Sequence, residues 1–396
     1  THTDPPLVDA VELLNRTSEP IDVAGWYLSD TRDNFFLYRF PLGQQWTVIP
    51  PGGYLVIDES HFNPGGGSLP GDFALSSLGE EVWLLAADQS GRPTYFVDFV
   101  EFGAAAPGAA FGRWPNGSGV LYPMSQLTLG GPNSGPRVGP VVFSEVMYAP
   151  PPPSAAELAL CPTVQAADFE FVEIFNSTDQ AIHLTEWRLR KGVDFNFAPG
   201  RVLPAGGVIV VLPFDPRAAS DKWAAFSRRY FGAVTTVPDN FLGPYSGKLD
   251  NAGELVRLLR PDEPPANDPT VIPRLIEDEL QYGTSAPWPE EALGGGKSLQ
   301  RLSVQAWGHE PASWIAFAPT PGQTVWPIAV ADSAEVRSGE SIEIDVLAND
   351  VPVLGALAAA GIQIAAGPSF GQLELDVRSG RWMYTPNPLF VGSDRF

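Results

Sequence analysis

The stretch FEFVEIFNSTDQAIHLTEWRLRK at 169–191, followed after a loop by RVLPAGGVIVVL at 201–212, sets the architecture of this chain. In Phe171–Asn176, Val172 and Ile174 fall on one face of an extended strand, and Glu173 and Phe175 on the other. Asn-Ser-Thr-Asp at 176–179 is turn chemistry, because short polar side chains bond nearby backbone groups and release the chain from a ladder. A second strand is expected through Ile182 and Leu184, then a third at Trp187-Arg-Leu189, with the tryptophan as a core anchor. Pro-Ala-Gly-Gly at 204–207 reads as a tight turn that launches Val208–Leu212. A looser copy sits upstream: VELLNRTSEPIDVAGWYLSD at 11–30 and PLGQQWTVIPPGGYLVI at 41–57. Short alternating strands broken by turns every ten or so residues predict β-sandwiches.

Composition agrees. The chain has 396 residues with 40 glycines and 41 prolines, about a fifth of the total and without a collagen period. Its formal charge is −22, with four lysines (191, 222, 248 and 297) against 20 arginines. Such an acidic surface repels nucleic acid and anionic membranes. The lone Cys161 excludes an internal disulfide, and no apolar run approaches the ~20 residues that span a bilayer.

Outward from the central stretch, Gly79–Ala86 and Thr94–Phe102 predict a hairpin around the Asp88–Gly91 turn. GGPNSGPRVGP at 130–140 has the composition of a linker, and Val141–Tyr148 reads as the opening strand of the second copy. Trp223, Phe226 and Tyr230 share one helical face, so a short helix is expected over Lys222–Tyr230, opened by Asp215-Pro-Arg and ended by Gly232. Gly253-Glu-Leu-Val-Arg-Leu-Leu259 matches Gly79-Glu-Glu-Val-Trp-Leu-Leu85. From Ala329 the pattern changes: Ser341–Leu347 alternates strictly, with Ile342, Ile344 and Val346 expected inside, and strands follow at 362–365, 372–377 and 382–385.

These residues resemble the lamin tail domain, an immunoglobulin-like sandwich. In 141–322 the resemblance rests on Ser144-Glu-Val-Met147, Phe171-Val-Glu-Ile-Phe-Asn176, His183-Leu-Thr-Glu-Trp-Arg-Leu189, Pro204-Ala-Gly-Gly207, Asn251-Ala-Gly-Glu254, Lys297-Ser-Leu-Gln-Arg301, Ser313-Trp314 and Pro319-Thr-Pro-Gly322. Glu186 stands where the family has glycine before the tryptophan, while Gly25 keeps it. The first copy matches through Val11–Asn15, Gly25-Trp-Tyr-Leu28, Pro51-Gly-Gly53, Gly79-Glu80 and Phe111-Gly-Arg-Trp114, without an opening strand like Val141–Tyr148. Residues 329–396 resemble a bacterial Ig- or cadherin-like repeat through Asp345-Val-Leu-Ala-Asn-Asp350, Gly371-Gln-Leu373 and Trp382-Met-Tyr-Thr-Pro-Asn387, with Phe396 where its last strand should begin. The expectation is an all-β chain of tandem immunoglobulin-like β-sandwiches with one short helix inserted in the second: 1–136, 140–322 and 327–396. The family implies no catalytic residues.

The residues offer little chemistry. Histidines 2, 61, 183 and 309 have no histidine or cysteine partner at metal spacing, and Cys161 has no histidine nearby. Gly294-Gly-Gly-Lys-Ser298 lacks the spacing of a phosphate loop. Arg188, Arg190 and Lys191 read as a solvated strand end on an acidic protein. The Asn-X-Ser/Thr triplets at 15, 116 and 176 read as turns. Trp288 and Trp307 read as packing aromatics, with a sugar platform as the rival. Asp332, Asp345, Asn349 and Asp350 are the candidate metal ligands: oxygen donors near a domain junction suit Ca²⁺, and the plainer reading is a turn at a strand end.

The function expected is a non-enzymatic extracellular or cell-surface protein, structural or adhesive, self-assembling or meeting other surface proteins or glycans. An open sheet edge at each end would let copies join head to tail. The alternative is a carbohydrate- or protein-binding region of a larger secreted enzyme.

Overall fold

The computed structural model describes residues 9–232, 234–265, 268–323, 332–348, 364, 367–376, 379 and 381–396. The fold is all-β, short strands in immunoglobulin-like sheets with few short helices. The chain divides into two compact units. One is Thr1–Gly139 with Leu184–Arg201 and Leu255–Glu279, the other Pro140–His183 with Val202–Glu254 and Leu280–Phe396.

In the first unit Ala10–Leu14 pairs antiparallel with Tyr54–Asp58, Val11 opposite Ile57 and Leu13 opposite Leu55. A four-stranded sheet runs in the order Tyr38–Arg39, Tyr27–Ser29, Gly79–Ala87, Pro93–Gly103. Its long hairpin turns where expected: Asp88 accepts from the N–H groups of Ser90 (2.9 Å) and Arg92 (3.0 Å), and Gly91 supplies the positive φ. Phe111–Trp114 pairs with Val120–Pro123. Val23, Leu28, Phe40, Ile57 and Phe62 form the buried core. Arg188–Lys191 pairs with Val193–Asn196 and, Leu189 opposite Leu258, with Glu254–Pro261. The segment whose composition reads as a linker is held in place. Arg137 N–H donates to Pro123 O (2.8 Å), the Arg137 guanidinium reaches Glu277 (3.3 Å), and Gly139 N–H donates to Glu277 O (3.1 Å).

The second unit is built on a six-stranded sheet, in the order Phe241–Leu242, Val208–Val211, Phe171–Asn176, Val141–Met147, Ser298–Arg301, Trp314–Phe317. The alternation in Phe171–Asn176 predicts two unlike faces, yet all six residues are buried. The cause is the helix Ser220–Phe231. Its Trp223 and Phe226 pack with Phe171, Val210, Leu212 and Phe241, covering a face that a bare sheet would leave to water. This helix starts five residues after Asp215, whose carboxylate instead caps a turn at Arg217 N–H (2.8 Å). Gly232 ends it in the left-handed conformation. A further helix, Ala155–Leu160, follows the proline run, with Ser154 and Glu157 as a capping box. Arg229 of the long helix binds Glu157 (2.7 Å) and the carbonyls of Pro151 (2.9 Å) and Pro152 (3.1 Å).

Towards the C-terminus, Ile342–Ile344, Arg381–Pro386 and Gly371–Asp376 form a three-stranded sheet with Arg381–Pro386 central. The first of these is shorter than its alternation predicts. It ends before Val346, because Asp345 O accepts from Ala348 N–H and turns the chain. The strand expected at 362–365 lies, but for residue 364, outside the described residues.

Candidate functional site

A pair of buried glutamates lies at the centre of the six-stranded sheet. Ser144 is an extra residue in the ladder between Phe143 and Glu145, a bulge that sets Glu145 directly opposite Glu173. Both acids are buried. Glu145 accepts from Ser298 Oγ (2.6 Å), Thr320 N–H (3.0 Å) and Thr320 Oγ1 (3.0 Å). Glu173 accepts from Ser144 Oγ (2.7 Å) and Gly322 N–H (2.7 Å). Gln300 closes the cluster through Ala318 O (2.8 Å). Burial pushes the Glu145 carboxyl up to about 7 against the pull of its donors. Burial, then the neighbouring Glu145, pushes Glu173 well above the carboxylate range. Two carboxyls this close stay buried by keeping a proton, and what they hold is the Thr320–Gly322 segment.

Four of the quoted motifs therefore meet in one place: Ser144-Glu145, Glu173, Ser298-Leu-Gln300 and Thr320-Pro-Gly322. Sequence reasoning had each motif without their meeting. The available signal was an acid on each of two otherwise apolar strands, VVFSEVM and FVEIFN.

The first unit repeats part of this arrangement. Glu12 matches Glu173 in the order Val-Glu-apolar-apolar-Asn, and its carboxylate accepts from Gly130 N–H as Glu173 does from Gly322 N–H. Asn15 and Asn176 share their acceptor bonds and most of their donor bonds. Each is buried, and each accepts from the N–H and hydroxyl of the threonine two residues on. Each amide donates to backbone carbonyls, Glu19 and Ile49 for Asn15, and Gln180, Leu203 and Pro204 for Asn176. Both amides are spent inside the fold, so neither side chain is free to carry a sugar. Gly25 and Glu186 likewise share a positive φ, +84° and +68°. Glu186 is held there by Arg274, which binds its carbonyl and its carboxylate at 2.6 Å each.

One feature of the first unit has no counterpart in these bonds. A groove of about 700 Å³ opens between Ala10–Leu14 and Phe111–Trp114, lined also by Leu28, Val82, Leu84 and Leu121. Ala10–Leu14 is only half-buried along its length.

The residues singled out from sequence fall as follows. Asp345 is exposed, accepts from Leu347 N–H (3.3 Å) and faces Arg381 Nε at 3.7 Å. Asp332 is described but lies in no strand, while Asn349 and Asp350 lie outside the described residues. Among the described residues no group of three His, Cys, Asp or Glu is arranged to hold a metal ion. Cys161 is buried, its Sγ 3.4 Å from Asp221 Oδ2. His61 caps the short helix Glu59–Phe62 through Asp58 (3.0 Å), and His309 stacks on Trp307. The two arginines of the basic cluster are spent locally: Arg188 pairs with Glu186 (3.3 Å), and Arg190 binds Leu189 O (2.6 Å) and Asn196 (2.7 Å). Lys297 pairs with Glu291.

A family model described as Lamin Tail Domain matches residues 135–262, and one described as Bacterial Ig domain matches residues 326–396. No curated protein matches. Among solved structures, the chain is similar to a DUF4876 family protein from Bacteroides thetaiotaomicron VPI-5482. The identity is 11%, covering 78% of this chain and 92% of that one, with a TM-score of 0.26. No helix among the described residues is long and apolar enough to cross a membrane.

Proposed function

We propose that the chain is a non-enzymatic structural or adhesive protein of the extracellular space or cell surface, built of rigid β-sandwich modules that assemble with copies of themselves or with other surface proteins. In this reading residues 1–136 are a second lamin-tail-like module, supported by the shared Asn and Glu–Gly bonds. The observation that carries it is the glutamate cluster. Its donors close the 140–322 module at its far end, Thr320–Gly322, so tension entering along the chain meets a buried, hydrogen-bonded lock. The test is to stretch the full chain between its termini in an optical trap. Discrete unfolding steps, one of them weakened by Glu173→Ala, are expected. Smooth extension without steps would end the reading, and hydrolytic turnover by the purified chain would end its non-enzymatic part.

A second reading, glycan binding beside an enzyme encoded elsewhere in the protein, is favoured by one observation. The hairpin Gly79–Ala87 and Pro93–Gly103 exposes Tyr95, Phe96 and Phe99, with Phe99 stacked on Trp83 at 4.6 Å. A glycan array with the Phe96→Ser chain as control separates the two. Calcium at Asp332, Asp345, Asn349 and Asp350 belongs to the first reading, where the ion would replace Arg381 beside Asp345. Titration calorimetry with calcium chloride tests it.

A further inference from the structure

Glu145, Thr320 and Gln300 stand in a row inside the second unit. The Thr320 hydroxyl donates to Glu145 Oε2 at 3.0 Å, and its oxygen lies 3.3 Å from Gln300 Nε2. The Thr320 N–H is fixed by the same carboxylate, at 3.0 and 3.2 Å. Gln300 is 3% exposed and Glu145 2%. The Gln300 amide has two hydrogens to give, yet three oxygens face its nitrogen: Ala318 O (2.8 Å), Thr320 Oγ1 (3.3 Å) and Ser298 Oγ (3.4 Å). Two hydrogens cannot fully serve all three. The Thr320 oxygen, its own hydrogen given to Glu145, keeps a lone pair toward the amide. These are the parts of an acyl transfer: a hydroxyl, a base within reach of its proton, and a carbonyl carbon one covalent bond from the nitrogen that the hydroxyl touches. Burial raises the Glu145 carboxyl to about 7, which makes it a stronger base than an exposed glutamate and leaves it partly ionised at neutral pH.

We propose that Thr320 and Gln300 join in an internal ester, formed once per chain by the module itself. The soft Cγ–Cδ torsion of Gln300 turns the face of the amide to the hydroxyl, and Thr320 Oγ1 attacks Cδ. Glu145 takes the hydroxyl proton and passes it to Nε2. The Cδ–Nε2 bond breaks and ammonia leaves, so nothing is oxidised or reduced. Ammonia takes up a proton in bulk water, which draws the exchange of amide for ester forward. Exclusion of water from the cluster then protects the ester from hydrolysis. Ser298 also touches Glu145 and Gln300, but it lies two residues along the same strand, and a link there would buckle a ladder paired on both sides. Thr320 lies beyond the end of Trp314–Phe317, outside the ladder. The ester makes the closure at Thr320 covalent. It deepens the rigid-module reading, yet its test stands apart from that reading.

The test is the intact mass of the full chain, measured in denaturant after a day at about pH 8, where Glu145 is ionised. A mass about 17 Da below the sequence value is expected, the loss of one ammonia. Trypsin cuts after Lys297, Arg301 and Arg337. Residues 298–301 should nevertheless stay joined to 302–337, and alkaline hydroxylamine, which cleaves esters but not amides, should part them. Thr320→Val and Glu145→Gln should each stay at the full sequence mass, the second because it keeps an acceptor but loses the base. Parent chain at its full sequence mass, with 298–301 released as a free peptide, would overturn the proposal, and this result needs no variant to fold. So would a loss mapped elsewhere, within 298–301 alone or at Asn116–Gly117. An unlinked chain that still unfolds in discrete steps in the optical trap would sink the ester and leave the rigid-module reading standing. A linked chain that extends smoothly would do the reverse.

Discussion

Ala10–Asn15 and Phe171–Asn176 carry one sequence pattern in two settings. Both read Val-Glu-apolar-apolar-Asn from their second residue, both end on a buried asparagine, and both hand their glutamate to a glycine N–H. Among the described residues one is half-buried with one strand partner; the other is wholly buried between two, with a helix across one face. Local sequence therefore specifies a strand's identity and its turn. Its burial and stability come from what the chain brings against it afterwards.

That comparison is broken or sharpened by four measurements. The largest effect is expected at the asparagines. Asn176→Ala removes three donor and two acceptor bonds inside the fold and should cost about 4 kcal/mol in chemical denaturation. Asn15→Ala, in the less enclosed copy, should cost about half of that. Equal losses would mean that the enclosure is irrelevant to the turn.

The acid pair comes next. Below about pH 4.5 Glu145 carries a proton in the folded and the unfolded chain alike. Between there and about 7 the folded chain keeps a proton that the unfolded chain has released. Above 7 the buried group must ionise. Stability should therefore be highest in acid and fall by roughly 3 kcal/mol as pH rises through this window. Glu173, raised by burial and by the neighbouring Glu145, contributes a fall of the same sign. Thermal unfolding from pH 5 to 8 measures it, and Glu145→Gln should flatten the profile. A stability that rises with pH would refute the assignment.

Third, Ile174→Ala should cost about 3 kcal/mol and the equivalent Leu13→Ala about 1, since only the first empties a closed core. Smallest is the pair of left-handed residues. Glu186→Gly relieves the positive φ but gives up Arg274, so it should stay within about 1 kcal/mol of the parent. Gly25→Ala should cost about 1 kcal/mol or more, its new Cβ lying 3.2 Å from Leu42.

Much of the fold was legible because its signals are local. The Asn-X-Thr turns, the proline–glycine turns before Tyr54 and Val208, the Asp88–Gly91 hairpin and the aromatic face of the helix each depend on residues within a few positions. The helix Ala155–Leu160 has its cap spelled by Ser154 and Glu157, but the prolines just before it disfavour helix and hide that signal. The carboxyl cluster was not legible as a unit: alternation places Glu173 on a face, and only tertiary pairing says that the face is closed. The anchoring of the 130–140 segment was not legible for the same reason, since its partners, Glu12 and Glu277, are far away in sequence. Of the oxygen ligands expected for calcium, sequence placed Asp345 at a strand end correctly but could not anticipate Arg381 across the ladder.

The carboxyl cluster also has a consequence in time. Glu173 waits 149 positions for Gly322, and Glu145 waits 175 for Thr320. A ribosome delivers the central strands long before it delivers the donors that neutralise their cost, so the module cannot be completed piecemeal from its N-terminal side. During synthesis the two acids sit in a nascent sheet that is still open to water, charged and repelling each other. The last few residues then act as a completion signal, and folding of the module becomes a single late event set by its longest-range contacts.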